Sequence, residues 1–283
     1  MPYANERALV STQWVQEHIQ DPRVRIAEVD YDPVSNYQIG HVPNAVLIDW
    51  KKDMNDPVTR DIVGGEALEQ LLRRLGVNED TTLVLYGDFN NWFAAFAFWV
   101  LKYYGFDDVR LMNGGRKKWL LEDRPVTKEV PSFPQGNWRF KGTVNRGIRV
   151  FLPYVKEILG HPDHVLIDVR SPKEYTGEIL APPEYPTEHA QRGGHIPTAI
   201  NLPWSLAVND QDGTFKSFEE LKQLYESKGV TPDKEVVTYC RIGERASITW
   251  FVLTQLLGYP RVKVYDGGWT EWGNGVRLPI EKP

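Results

Sequence analysis

Cysteine is almost absent from this chain. One thiol in 283 residues excludes an internal disulfide framework and any zinc or iron–sulfur site built on several cysteines, and it suits a reducing compartment. Long apolar runs are missing too. The longest, Trp92 to Leu101, stops at Lys102 at about half of the roughly 20 residues a membrane span needs. The first ten residues contain Glu6 and Arg7 and no apolar signal-peptide core, so a cytosolic protein without a membrane partner is expected. An excess of positive charge is also lacking: the net charge is −5 and the sequence pI about 5.8, which argues against nucleic acid as a partner. What the chain does have is 41% hydrophobic and 12% aromatic residues, enough to build real cores.

The length favours two domains, and the sequence repeats itself. Gly40-His41-Val42-Pro43 returns as Gly194-His195-Ile196-Pro197 at an offset of 154. The segment 81–119 then aligns without a gap on 234–272, keeping Tyr86/Tyr239, Gly105/Gly258, Gly114/Gly267, Gly115/Gly268 and Trp119/Trp272. A period this long indicates two copies of one domain. We place them at 1–125 and 148–283, joined by a proline- and glycine-bearing linker over 126–147. Within each copy, short β-branched runs (24–29, 82–86, 165–169, 235–239, 262–265) alternate with helical patterns such as 66–75 and 218–225, the latter opened by a Ser217/Glu220 capping box. The expected fold is α/β, each copy a mostly parallel sheet flanked by helices.

The lone thiol sits where such folds do chemistry, at the carboxyl end of a strand. The run 235–239 reads as a buried strand, Cys240-Arg241-Ile242-Gly243-Glu244-Arg245 as a loop, and 246–257 as an apolar helix. This arrangement aims the loop amides of Arg241, Ile242, Gly243, Glu244 and Arg245, with the positive end of the helix, at one point. A sulfur there is expected to have a depressed pKa, helped by Arg241 and Arg245. Such a thiolate is a nucleophile suited to an anionic substrate. The position corresponding to Cys240 in the first copy is Gly87, followed by Asp88 and no cation, so the first copy is expected to be silent. His41 and His195 occupy equivalent places in the silent and the active copy, which points to a structural role for both.

The tandem repeat, the Gly-His-Ile-Pro block, Asp168-Val169-Arg170, the loop from Cys240 to Arg245 and the Asp266-Gly267-Gly268-Trp269 stretch together resemble the two-domain rhodanese family, the thiosulfate sulfurtransferases. The resemblance implies a persulfide on Cys240, formed by taking the outer sulfur of thiosulfate and discharged to cyanide, a thiol or a protein sulfur acceptor. It implies no metal and no organic cofactor. Arg245 and then Arg241 are the expected grips on the donor anion, with Asp168, Arg170, Arg192 and Trp269 as supporting candidates. The chain departs from the animal enzymes, which carry a lysine at the place of Ile242 and an arginine at the place of Glu174. Part of the cationic grip is therefore expected to be missing or supplied otherwise.

Three other readings compete. A mercaptopyruvate sulfurtransferase would have an uncharged loop. A cysteine-dependent phosphatase or arsenate reductase has five residues between cysteine and arginine, where this loop has four. A non-catalytic sulfur-carrier module is the last. The second copy also has an insertion over 178–192, rich in proline and expected to be an extended loop.

Overall fold

The computed structural model describes residues 1–283. The chain forms two compact units. The first comprises Glu6–Asn145 with Asp210–Phe215, and the second Arg146–Asn209 and Lys216–Pro283 with Met1–Asn5. In the first unit, β1 (Leu9–Val10), β2 (Val24–Asp30), β3 (Val46–Asp49), β4 (Thr82–Tyr86) and β5 (Val109–Met112) form a parallel sheet in the order β1-β5-β4-β2-β3. Its helices are α1 (Thr12–His18), α2 (Trp50–Asp53), α3 (Gly65–Arg74), α4 (Trp92–Tyr103) and α5 (Gly115–Leu121).

The second unit repeats this plan. Strands β6 (Arg149–Val150), β7 (His164–Asp168), β8 (Ile200–Asn201), β9 (Glu235–Tyr239) and β10 (Val262–Tyr265) are parallel in the order β6-β10-β9-β7-β8. Helices α6 (Leu152–Glu157), α7 (Pro172–Thr176), α8 (Phe218–Glu226), α9 (Glu244–Phe251) and α10 (Gly268–Asn274) accompany them. Identical strand order in two parallel sheets is the α/β repeat expected from the sequence. No helix is long and apolar enough to cross a membrane.

The strands in the middle of each sheet are buried on both faces, which is why β4 and β9 read as short apolar, β-branched runs, while β2 also buries Arg25, Glu28 and Asp30. The run Trp92 to Leu101, too short for a membrane, is the wholly buried body of α4. Two pairs of equivalent residues, one on helices and one on strands, tie these elements to loops in the same way. Trp119 and Trp272, 1% and 0% exposed, donate their indole N–H to the carbonyls of Pro125 (2.9 Å) and Pro279 (2.7 Å). Tyr86 and Tyr239 accept the amides of Val42 (2.9 Å) and Ile196 (3.2 Å) on their hydroxyls.

The stretch read as a linker is not loose. It lies along the first unit, with His41 and Thr127 exchanging backbone bonds and Gly136 and Trp138 donating to Arg73 and Val77. Residues 1–5 also fall elsewhere than expected. Ala4 and Asn5 donate to Leu256 and Gln255, so the amino terminus packs on the second unit. Proline and glycine content marks where a helix cannot run; it does not say which surface the chain then follows.

Candidate active site

Strand β9 ends at Tyr239, and Cys240 begins the turn into α9. Gly243 caps that helix at φ +101°, a conformation that glycine adopts without steric cost. The turn is held from outside. Trp269 and Thr270, at the start of α10, donate to the carbonyls of Cys240 (2.8 Å) and Arg241 (3.1 Å). Gly268 lies so close that a Cβ on it would sit 2.8 Å from the Cys240 oxygen. With the loop carbonyls drawn toward α10, its amides are free to face the sulfur.

They do so in part. The Gly243 amide donates to Cys240 Sγ at 3.1 Å, and the Ala246 amide, one residue past the expected set, adds a second donor. Cys240 is fully buried, yet in a polar setting. Its thiol donates to Glu244 Oε2 at 3.1 Å. The expectation of a depressed pKa is not met: the thiol is pushed up to about 12, by burial first and then by the Glu244 carboxylate, against which Arg245 and the Ala246 amide pull down. The sequence shows a sulfur beside two arginines; the fold sets it against a carboxylate as well.

Both arginines are engaged. Arg245 makes a bidentate pair with Glu174, Nη1 to Oε2 at 2.8 Å and Nη2 to Oε1 at 3.0 Å, with both side chains buried. Burial alone would raise the Glu174 carboxyl, but Arg245 overrides it and, with Arg170 and the Ser171 amide, holds the group down to about 2. Glu174 also closes a capping box with Ser171 on α7. Arg241 points to the insertion, donating to the carbonyls of Thr187 (2.6 Å) and Tyr185 (2.7 Å) with its guanidinium 4.6 Å from the Tyr185 ring centroid. Ile242 is 4% exposed and contributes packing.

The supporting candidates brace the backbone. Asp168 and Arg170 form a fully buried pair (Nη2 to Oδ2 2.6 Å), and Arg170 also reaches the Gly194 carbonyl at 2.7 Å. Arg192 donates to the carbonyls of Trp272, Gly273, Gly275 and Leu278, closing the carboxyl end of α10. Trp269 gives its indole N–H to the Arg192 carbonyl at 2.9 Å. His41 and His195 stack on Tyr37 and Tyr175, at 3.7 and 3.5 Å between ring centroids. Each ring also bonds that tyrosine's carbonyl at 2.9 Å. Equal geometry in both units gives both histidines the same structural task.

Sequence reasoning missed two contacts of carboxylates: Glu244 as an acceptor from the Cys240 thiol and Glu174 as the partner of Arg245. Spacing offered one clue: Ser171 and Glu174 are three apart, the signature of a capping box.

The insertion over 178–192 contains no helix or strand, as its prolines require. Besides Arg192, it is fastened by Arg241 to Tyr185 and Thr187, by Thr270 Oγ1 to the Glu188 carbonyl at 2.8 Å, and by the Gln191 amide to Asn274 at 3.0 Å. Arg241→Ala leaves two carbonyls without their donor, so cleavage within 178–192 by limited proteolysis is expected to accelerate roughly tenfold or more, from a loss of about 1.5–3 kcal/mol per charged hydrogen bond. Unchanged cleavage would show that Arg241 does not secure the loop.

In the first unit the equivalent turn holds no thiol. The Gly87 amide donates to Asn91 Oδ1 at 3.0 Å, and Asp88 is pushed up to about 7 by burial and by Glu28.

The fold and the site define a two-domain α/β protein with one cysteine, at a strand-to-helix turn of the second copy only. The chain belongs to the rhodanese family: the rhodanese-like domain matches residues 11–122 and 152–274. It is 56% identical to the sulfur carrier protein TtuD of Thermus thermophilus over 288 aligned positions, covering 100% of this chain and 99% of that one. It is 50% identical over 280 positions to a Saccharopolyspora erythraea protein named provisionally as a thiosulfate sulfurtransferase, covering 99% and 98%. Among solved structures, EanB bearing a cysteine persulfide in complex with ergothioneine is similar at a TM-score of 0.86 and 28% identity, over 99% of this chain and 71% of EanB.

Proposed function

We propose that Cys240 carries sulfur as a persulfide, loaded from thiosulfate and discharged to a thiophilic acceptor such as cyanide or a thiol. The observation that carries this reading is the environment of the one sulfur. It ends a buried strand with two backbone amides on it and a carboxylate at 3.1 Å. In loading, a bond forms between Sγ and the outer sulfur of thiosulfate. The sulfur–sulfur bond of thiosulfate breaks, and its electron pair leaves with sulfite. The Gly243 and Ala246 amides face the charge on the new persulfide and replace lost water. Arg245 is the cation whose charge acts on the sulfur, and we assign it the orientation of the donor's oxygens. The lone thiol, which has to stay reduced, supports a cytosolic setting.

Discharge to a protein is a second reading. It is favoured by full-length 56% identity to a protein named a sulfur carrier.

Exposing the protein to thiosulfate, removing the excess and measuring intact mass tests the loading step. One added sulfur atom is expected, and cyanide should then remove it as thiocyanate. Aryl phosphates should not be hydrolysed. A protein that gains no sulfur, or that cleaves the phosphate ester, would overturn the assignment.

A further inference from the structure

Glu244 stands in the first turn of α9, where the helix dipole favours a carboxylate. That does not explain its depth. The residue is 0% exposed, its Oε2 accepts the Cys240 thiol at 3.1 Å, and its Oε1 lies 3.5 Å from Arg245 Nε. A buried anion beside a sulfur that has to become an anion opposes the reaction unless it takes part in it.

The groups facing this pair fix how much charge the pocket tolerates. On the loop and α9 are Arg241 and Arg245; from α7 comes Glu174, bidentate to Arg245 and 3.9 Å from Arg241 Nε. Beyond it Arg170 is neutralised by Asp168. With one proton on Cys240 and Glu244 together, the two arginines balance the two glutamates. Removing that proton leaves a buried net negative charge, and adding a second leaves a net positive one. Both states cost desolvation.

We propose that Cys240 and Glu244 form one acid–base unit holding a single proton, with Glu244 taking it from sulfur during attack and returning it on discharge. The catalytic steps rest on the sulfur-transfer reading above; the shared proton does not. In loading, the pair of electrons that bound the thiol proton forms the bond to the outer sulfur, sulfite departs with the old bond's pair, and the proton passes to Glu244 Oε2. In discharge the acceptor's lone pair attacks the outer sulfur, the Sγ–S bond breaks with its electrons returning to Sγ, and Sγ takes the proton back. No external oxidant or reductant is involved.

While the pair holds one proton, the share of it on sulfur stays constant as pH changes, because coupled groups gain and lose protons as a unit. Alkylation of Cys240 by iodoacetamide, followed by intact mass from about pH 6 to about pH 9, is therefore expected to be nearly independent of pH. In Glu244→Gln the thiol titrates alone with Arg245 unopposed, so the rate should rise with pH and level off above the thiol's own lowered pKa, faster throughout than the wild type; Glu244→Asp should restore the flat profile. Thiosulfate turnover of the Gln variant should fall roughly hundredfold, the ordinary scale of acid–base catalysis. A wild-type rate that itself climbs tenfold per unit, or a Gln variant as flat and as slow as the wild type, overturns the proposal. If the Gln variant does not fold, the infrared S–H stretch of this single cysteine decides: it should persist in the wild type to about pH 9, and its absence at neutral pH would overturn the shared proton. A flat alkylation profile in a protein that accepts no sulfur would keep the proton pair and remove only the sulfur-transfer reading.

Discussion

Cys240→Ser is expected to abolish sulfur transfer, lowering thiosulfate-dependent thiocyanate formation by roughly 10⁴-fold or more, the scale of losing a covalent nucleophile. The chain contains no other thiol, so nothing replaces it. The variant should fold, because a hydroxyl is smaller than the thiol and still accepts the Gly243 amide and donates to Glu244. Its thermal midpoint should stay within a few degrees of the wild type, which separates loss of chemistry from loss of structure. Intact mass after thiosulfate should show the extra sulfur in the wild type and not in the variant. Retained turnover in the variant would remove Cys240 from the mechanism.

The second large effect is on stability. Arg245→Ala removes the partner of a fully buried carboxylate, and Glu174 would be left as an uncompensated interior charge. Breaking such a pair costs about 3–5 kcal/mol, measurable as a lowered urea midpoint at constant slope. Glu174→Gln with Arg245→Met removes both charges and should recover most of that loss. If the double variant is no more stable than Arg245→Ala, burial of the carboxylate is not the cause. Activity should fall with Arg245→Ala and stay low in the double variant, since a cation acting on the sulfur is gone in both.

The same pair sets a pH dependence. Glu174 is held down to about 2 in the folded protein, below its unfolded value near 4.3. A depressed carboxyl binds its proton more readily unfolded than folded. Its stabilisation is complete above pH of about 5 and is lost as pH falls through 4 toward 2. The wild type should lose on the order of 3 kcal/mol over that window through this group, and the Gln–Met variant should not show that portion of the loss.

How far the sequence reached is clearest in the second copy. The strand 235–239, the capping box at Ser217 and Glu220, and the turn at Cys240 are all legible, because each depends on neighbours within a few residues. The helix expected over 246–257 begins two residues earlier, at Glu244, and passes into a π turn over Val252–Leu256. Arg241 and Arg245 were legible as cations beside a sulfur, and their employment was not. Arg245 is spent on a residue 71 positions away and Arg241 on residues 54 and 56 positions away.

The charge state of the sulfur follows the same division. Amino-acid order alone determined the doubled α/β architecture, the copy that bears the thiol and the turn that holds it, since hydrophobic period, glycine placement and repetition are local properties of the chain. Only the tertiary structure decided that the thiol is protonated against Glu244, that Glu174 neutralises Arg245 and that Arg241 ties down the insertion. Electrostatic energies depend on distance through space and on burial, and neither is written in the spacing of residues along the chain.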